Sequence, residues 1–370
     1  MQGYGSQSLP DGIREQRLDN GNGLEMHVLE AGEVGRPALL LLHGFPELSF
    51  SWRKVMPALA EAGYHVIAPD QRGYGFTTGA DATYDCDLGQ FRMLNLVRDA
   101  YGLLGALGLD GVHAVIGHDF GSYVAAHCAL IRPDVFRRAA MMSAPFAGPP
   151  ALNAKPAPDI DIALGQLDRP RKHYQRYYST PSADADMMNC PQGLHDFLRA
   201  YFHVKSADWA ENKPYKLASW SAENLAKMPT YYIMDRDSNM AETVAPEMPG
   251  ADAIAANAWL PEADLRVYTD AYARTTFQGG LNWYRCRFVD WIQRESQLYA
   301  GRAIDVPSIF VSGASDWGMH QVPGALEAMK DGRSCTDFRG AHAILGAGHW
   351  VQQEQPETAT EILLDFLSDG

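Results

Sequence analysis

One short segment of the chain places a carboxylate where a nucleophile is expected. The apolar run 112–119 leads into the sequence GHDFG, with Asp119 at its centre, and a helical pattern follows at once. This strand–turn–helix order typically presents a nucleophile on a sharp turn, and serine is the usual residue. An ionised aspartate needs no deprotonation, and it can displace a leaving group from saturated carbon to give an alkyl ester on the enzyme.

Two later residues complete the chain order nucleophile, acid, base. Asp316 follows the apolar run 307–312, and His349 stands in the sequence GAGHW near the end of the chain. Both positions are loops after strand candidates, where catalytic groups are commonly mounted. Alone, Asp316 could be a turn or N-cap residue and His349 a packed histidine. Their order and context with Asp119 predict a catalytic triad.

An early loop offers backbone N–H donors for a developing negative charge. Gly44-Phe45-Pro46 follows an apolar run and predicts a tight turn with a cis peptide bond before the proline, which exposes the N–H of Phe45. With the N–H of Phe120 it would form an oxyanion hole. The alternative is an ordinary turn at the end of a strand.

Alternating strands and helices must position these residues. We expect strands at 26–31, 38–43, 65–70, 114–119, 139–143, 308–312 and about 337–345, and helices at 52–62, 88–107, 122–131 and 356–367. The continuous apolar runs predict strands covered on both faces, in an α/β fold with a doubly wound, mostly parallel sheet. Residues 1–16 are interpreted as a weakly structured lead-in.

The middle of the chain has a different character. Between about residues 146 and 304 strand-like runs nearly vanish, and aromatic clusters appear at 174–178 and 277–291. We predict a core domain of residues 1–146 and 304–370 and an inserted, mainly helical cap of residues 147–303. The cap would cover the carboxyl edge of the sheet, where ligands of such folds bind.

Composition excludes several classes of partner and site. The formal charge of −14 argues against nucleic acid and anionic membranes, and no apolar run is long enough for a membrane span. Five cysteines without a C-x-x-C pair and no secretory signal indicate free thiols in the cytoplasm. No histidine spacing suggests a metal, and no cofactor is expected. The apolar content is compatible with a homodimer.

Five segments of the chain resemble the epoxide hydrolases of the α/β-hydrolase fold, of the soluble bacterial and plant type. They are HGFPELSFSWR (43–53), APDQRGYG (68–75), GHDFGS (117–122), GGLNWYR (279–285) and GHWVQQEQP (348–356). The resemblance extends from about residue 15 to 368. It implies that Tyr284 of NWYR and Tyr174 of the sequence YQRYYSTP donate hydrogen bonds to the epoxide oxygen, although Tyr178-Ser179 departs from the family's Phe-Gln. Tyr177 and Tyr178 are the alternatives to Tyr174 as the second donor.

The chemistry of ring opening agrees with this implication. An alkoxide is a poor leaving group, and phenols are acidic enough to assist it while staying protonated at neutral pH. The expected substrates are water and a small hydrophobic epoxide, and the product is a vicinal diol. His349, oriented by Asp316, would activate water against the ester on Asp119. Trp317, Trp350 and Met240 are candidates for the apolar substrate wall.

Three alternatives remain open at this stage. A haloalkane or haloacid dehalogenase would use the same aspartate but would need no tyrosine acid. A non-catalytic ligand-binding member of the fold is a second alternative, although such proteins usually lose part of the triad. A serine esterase would need a serine at position 119, and Ser122 is better interpreted as a small residue that packs the helix.

Overall fold

The computed structural model describes residues 3–5, 7–154 and 159–368. The strands are β1 (Arg14–Asp19), β2 (Glu25–Ala31), β3 (Ala38–Leu42), β4 (His65–Pro69), β5 (Ala114–His118), β6 (Ala139–Met142), β7 (Arg171–His173), β8 (Ile233–Asp235), β9 (Ser308–Gly313) and β10 (Phe338–Ile344). The core helices are α1 (Met56–Glu61), α2 (Met93–Ala106), α3 (Phe120–Ile131), α14 (Ala325–Lys330), α15 (Val351–Glu354) and α16 (Pro356–Ser368).

Eight of the described strands form one sheet in the order β1-β2-β4-β3-β5-β6-β9-β10. Strands β4, β3, β5, β6, β9 and β10 run parallel, and β1 and β2 join antiparallel at one edge. Every residue of β3, β5, β6 and β9 is buried, which explains their unbroken apolar runs. This arrangement confirms the predicted α/β fold with a mostly parallel sheet.

The chain between β6 and β9 is mainly helical. Its helices are α4 (Ile160–Gly165), α5 (Tyr174–Tyr178), α6 (Ala183–Met188), α7 (Gly193–Lys205), α8 (Ala222–Leu225), α9 (Met240–Val244), α10 (Ala251–Ala256), α11 (Glu262–Thr275), α12 (Gln278–Arg285) and α13 (Asp290–Glu295). Strands β7 and β8 pair antiparallel within it. The division into a core and a cap at residues 147 and 303 stays a prediction.

One local prediction is wrong. Residues 14–16, predicted as part of a loose lead-in, begin β1, whose polar sequence REQRLD is half exposed at the sheet edge and so carries no apolar pattern. In the APDQRGYG motif, Asp70 and Arg72 have separate partners. Arg72 makes two bonds of 2.7 Å to Asp99, while Asp70 lies 2.9 Å from His27.

No helix in the described part of the chain is long and apolar enough to cross a membrane.

Candidate active site

Asp119 sits on a sharp turn between β5 and α3. Its backbone has φ 53° and ψ −119°, a conformation that non-glycine residues rarely adopt. Glycines make the turn possible, because a Cβ at Gly117 would lie 2.1 Å from the carbonyl oxygen of Gly121, and one at Gly121 2.2 Å from that of Leu42. Such strain is typical of functional positions, and the turn projects the carboxylate beyond the sheet.

The two oxygens of Asp119 have different surroundings. Oδ1 accepts a 3.0 Å hydrogen bond from the N–H of Phe45, whereas Oδ2 lies 3.2 Å from Nε2 of His349, an ion-pair distance with poor hydrogen-bond geometry. Burial would raise the pKa of this carboxyl, but His349 and then Lys205 outweigh burial and hold the pKa well below its usual range. The side chain remains 15% exposed, so an ionised oxygen is accessible for attack.

His349 lies between Asp119 and a second carboxylate. Its Nδ1 is 3.1 Å from Oδ1 of Asp316, which also accepts a 2.7 Å bond from the N–H of Gly318. Burial and the charge of Lys205 disfavour the imidazolium, but the two aspartates outweigh them and raise the pKa of His349. The structure therefore brings the three predicted triad residues together.

The predicted oxyanion donors flank the nucleophile. The Phe45–Pro46 peptide bond is cis, and Gly44 lies so near the turn that a Cβ there would be 2.4 Å from the Cβ of Asp119. Phe120 is the first residue of α3, so its N–H has no partner within the helix. One backbone donor therefore touches Asp119, and the other follows it directly in the chain.

Tyr284 is fixed by the tight docking of α12 on the core. A Cβ at Gly279 would lie 2.1 Å from the carbonyl oxygen of Gly73, and the indole N–H of Trp283 donates a 2.9 Å bond to the carbonyl of Arg72. The ring of Tyr284 then packs edge-on against Phe45 at 5.6 Å and Phe120 at 5.2 Å between centroids. These are the two residues whose N–H groups flank the nucleophile.

Tyr174 begins α5 and lies beside Tyr284, with 6.0 Å between ring centroids. Both tyrosines are buried, and burial and then the charge of Asp119 raise the pKa of each phenol. Each phenol therefore keeps its proton at neutral pH.

The three predicted lining residues make packing contacts. Trp350 donates its indole N–H to the carbonyl of Phe202, and Trp317 packs on Tyr215 at 5.1 Å between centroids. Met240 is fully buried at the start of α9. Their role as a substrate wall stays a prediction.

An apolar cavity of about 240 Å³ adjoins the nucleophile turn, and sequence reasoning missed it. Its wall includes Phe120, Tyr123, Phe146, Trp283 and Val322. These residues come from α3, the loop after β6, α12 and the loop after Asp316, so no local pattern marks them as neighbours.

A buried pair beneath the triad was also missed, although both residues stand in motifs noted above. His118 Nδ1 lies 2.5 Å from Glu47, and its Nε2 lies 2.7 Å from the carbonyl oxygen of His349. Glu47 also accepts a 3.1 Å bond from the N–H of Gly44. Burial would raise the pKa of Glu47, but His118 outweighs it and the pKa is lowered. The pair ties the oxyanion loop to the histidine loop.

Lys205 is another part of the site that the sequence did not predict, and no motif around it indicates a role there. The residue is 4% exposed, and its ammonium lies 5.2 Å and 5.4 Å from the ring centroids of Trp350 and Tyr232. Burial lowers the pKa of this amine, while Asp119 and Asp316 oppose that effect. The carbonyl of Lys205 accepts a 2.8 Å bond from the N–H of His349.

Among residues 3–5, 7–154 and 159–368, no three His, Cys, Asp or Glu side chains come together as a metal-binding group.

Comparison with known proteins identifies the family. The family model described as alpha/beta hydrolase fold matches residues 37–356. Epoxide hydrolase A of Mycobacterium tuberculosis is 34% identical over 362 residues, which cover 96% of this chain and 98% of that protein. The chain belongs to the epoxide hydrolases of the α/β-hydrolase fold. An epoxide hydrolase of Caballeronia sordidicola is 30% identical, covering 97% of this chain and 95% of its own length.

Solved epoxide hydrolases share the architecture. The enzyme from an endophytic Streptomyces superposes with a TM-score of 0.78 at 30% identity, covering 97% of this chain and 96% of that one. Epoxide Hydrolase A from Mycobacterium thermoresistibile gives a TM-score of 0.77 at 31% identity, covering 96% and 98%. The family resemblance expected from five short motifs thus extends over nearly the whole chain.

Proposed function

We propose that this epoxide hydrolase converts a small hydrophobic epoxide and water into a vicinal diol through an alkyl ester on Asp119. One observation carries the proposal. The hydroxyl-bearing ring of Tyr284 packs on Phe45 and Phe120, the two residues whose N–H groups flank Asp119. This packing supports a site that combines a nucleophile with a hydrogen-bond donor for an oxygen leaving group.

In the first half-reaction, Oδ2 of Asp119 attacks an epoxide carbon while Oδ1 stays bound to the N–H of Phe45. The ring C–O bond breaks, and Tyr174 and Tyr284 stabilise the oxygen that develops negative charge. The apolar cavity beside Phe120 supports a hydrophobic substituent on the substrate. No metal or organic cofactor takes part in this scheme.

In the second half-reaction, His349 removes a proton from water, and the hydroxide attacks the ester carbonyl. The N–H groups of Phe45 and Phe120 bind the tetrahedral oxyanion. Asp316 fixes the tautomer of His349 and stabilises the imidazolium. Collapse of the intermediate releases the diol, which carries one oxygen that came from the carboxylate of Asp119.

The test is trapping of the ester. A His349→Gln variant mixed with styrene oxide should accumulate an adduct of substrate mass, which intact-protein mass spectrometry detects and peptide mapping assigns to Asp119. An Asp119→Asn variant of the same protein is the control and should remain unmodified. Absence of an adduct, together with halide release from haloalkanes by the unmodified protein, would favour a dehalogenase instead.

We propose further that the protein is cytoplasmic and forms a homodimer. The five cysteines are all free, which suits a reducing compartment. Trp291 and Leu298 are exposed apolar side chains on the segment between β6 and β9, and they support a contact between two copies. Light scattering coupled to size-exclusion chromatography measures the oligomeric state, and a monomeric mass would reject the dimer.

A further inference from the structure

The hydroxyl oxygen of Tyr174 is held by two side-chain amides. Gln175 Nε2 and Gln321 Nε2 each donate a 3.0 Å hydrogen bond to it. Gln175 is the next residue of α5, whereas Gln321 follows the short helix that begins after Asp316. Gln175 thus reaches the phenol from the segment between β6 and β9, and Gln321 reaches it from the segment that follows β9.

This arrangement limits what the phenol can do. Two donors occupy the accepting capacity of the Tyr174 oxygen, so its remaining role is to donate its own proton. Hydrogen bonds donated to an oxygen favour its charged form. Both amides accordingly oppose the effect of burial and of Asp119, which raise the pKa of Tyr174.

Tyr284 has no comparable support. Its hydroxyl makes no hydrogen bond to any residue that the structure describes, and neighbouring phenols add to the burial and the Asp119 charge that raise its pKa. A phenolate at Tyr284 would face these charges and dipoles without a compensating donor. The two tyrosines that face the epoxide are therefore unequal as acids.

We propose that Gln175 and Gln321 are positioning residues that make Tyr174 the proton donor of ring opening, whereas Tyr284 keeps its proton and only donates a hydrogen bond. This inference rests on the proposed function. It assigns the two tyrosines different tasks and names the groups that create the difference.

The proton balance closes over the full cycle. As the bond between Asp119 Oδ2 and carbon forms, the epoxide C–O bond breaks, and its electron pair takes the proton of Tyr174. The resulting phenolate is stabilised by the two amide N–H groups. Ester hydrolysis by water then releases the diol and leaves one proton at Asp119, and this proton returns Tyr174 to its neutral form.

The first experiment measures the alkylation rate constant by rapid quenching and mass spectrometry, in a His349→Gln background with styrene oxide. Gln321→Met should lower this constant about tenfold, since a hydrogen bond to a charged group contributes on that scale. Substrate affinity should change little. Gln297→Met is the matched control, because Gln297 is also partly exposed and is not one of the two donors to the Tyr174 oxygen, and it should react at the parent rate.

A double-mutant cycle separates positioning from folding. In a Tyr174→Phe background, Gln321→Met should have no further effect, because the oxygen that it serves is gone. A tenfold loss that persists in that background would overturn the inference, and so would an unchanged rate in the single variant. If the adduct on Asp119 forms at all, the proposed function stands in either case.

A charge variant provides a pH signature. Gln321→Glu places an acceptor and a negative charge beside the phenol at neutral pH, so its alkylation rate should fall below that of Gln321→Met. Lowering the pH protonates the new carboxyl, which can then donate to Tyr174, and the rate should recover. Absence of this acid rescue would contradict a donor role for residue 321.

Discussion

At the scale of single residues, His349 lies between two carboxylates, of which only one changes its charge in the proposed mechanism. Asp316 stays ionised throughout, whereas Asp119 loses its charge once it becomes an ester. In the free enzyme both aspartates raise the pKa of His349 against burial and Lys205. After alkylation one raising influence is gone, so the imidazole pKa falls and the neutral base becomes available when water must be activated.

The first prediction concerns the pH profile of ester hydrolysis. Its rate should rise with pH as His349 loses its proton, with a midpoint below the pKa of His349 in the free enzyme. Lys205→Met removes a cation that lowers this pKa, so the midpoint should move to higher pH. Single-turnover hydrolysis across the pH range measures this. Lys227→Met, at an exposed lysine, should leave the midpoint in place.

A second prediction at this scale concerns Tyr284. Tyr284→Phe removes one donor to the epoxide oxygen and should lower the alkylation rate roughly 10²-fold, the usual effect of losing one such donor. Substrate binding should be nearly unchanged, because the ring and its contacts with Phe45 and Phe120 remain. Pre-steady-state kinetics with styrene oxide provides the measurement. An unaffected rate would show that the oxygen leaving group is not assisted from α12.

At the scale of elements, α12 reaches the site through glycines. A Cβ at Gly280 would lie 2.7 Å from both the ring of Phe45 and the hydroxyl of Tyr74. The helix therefore has to approach the oxyanion loop at backbone distance. The sequence GGLNWYR contains both the glycines of this close contact and Tyr284, the proposed hydrogen-bond donor, which explains why the two occur together.

The third prediction uses this contact. Gly280→Ala should displace α12, and with it Tyr284, and lower kcat by tenfold or more. Gly105→Ala is the matched control, because a Cβ there meets nothing within 4 Å and alanine favours the helix by roughly 0.5–1 kcal/mol. Steady-state kinetics and thermal melting of both variants distinguish displacement from unfolding. Equal activity of the two variants would contradict the docking argument.

Sequence patterns predicted the buried elements better than the exposed ones. Strands β3, β5 and β9 were predicted within one residue of their bounds, because both faces are buried and the runs are apolar throughout. Strand β1 lies at an edge with polar residues on it, and no periodicity marks it. Asp119 was placed at the end of a strand, but its positive φ puts it on the turn that follows.

The candidate active site also contains residues that the sequence predicts and residues that it does not. Asp119, Asp316 and His349 were predictable because each lies shortly after the end of a strand and their chain order is fixed by the fold. Gln321 and Lys205 were not, since their roles depend on partners far away in the chain, such as Tyr174 for Gln321 and His349 for Lys205. Sequence spacing carries no information on which loops meet once the inserted helices pack on the sheet.

At the scale of the whole molecule, the buried side chain of Glu354 joins the histidine loop to the inserted helices. Glu354 accepts hydrogen bonds from the N–H groups of Gly348 and Trp350, on both sides of His349, and from that of Ala207. Three backbone donors thus meet one side chain of α15. The position of the proposed base therefore depends on the packing of the entire chain.

The fourth prediction follows from these bonds. Glu354→Gln replaces one accepting oxygen by an NH₂ group that cannot accept, so at least one buried N–H loses its partner. The free energy of unfolding should fall by about 1–3 kcal/mol, and activity should fall with it. Chemical denaturation measures the change. Glu357→Gln, at an exposed glutamate of α16, should lie within about 0.5 kcal/mol of the parent protein.

The bond from the N–H of His349 to the carbonyl of Lys205 has a practical consequence for protein engineering. Helix α7 ends at Lys205, and Gly348 leaves no room there, because a Cβ at that position would lie 2.5 Å from the same carbonyl oxygen. A chimaera in which the cap comes from another enzyme would replace the carbonyl group of Lys205 but keep His349. Chimaeras designed to alter substrate selectivity should therefore exchange the end of α7 and residues 348–349 together.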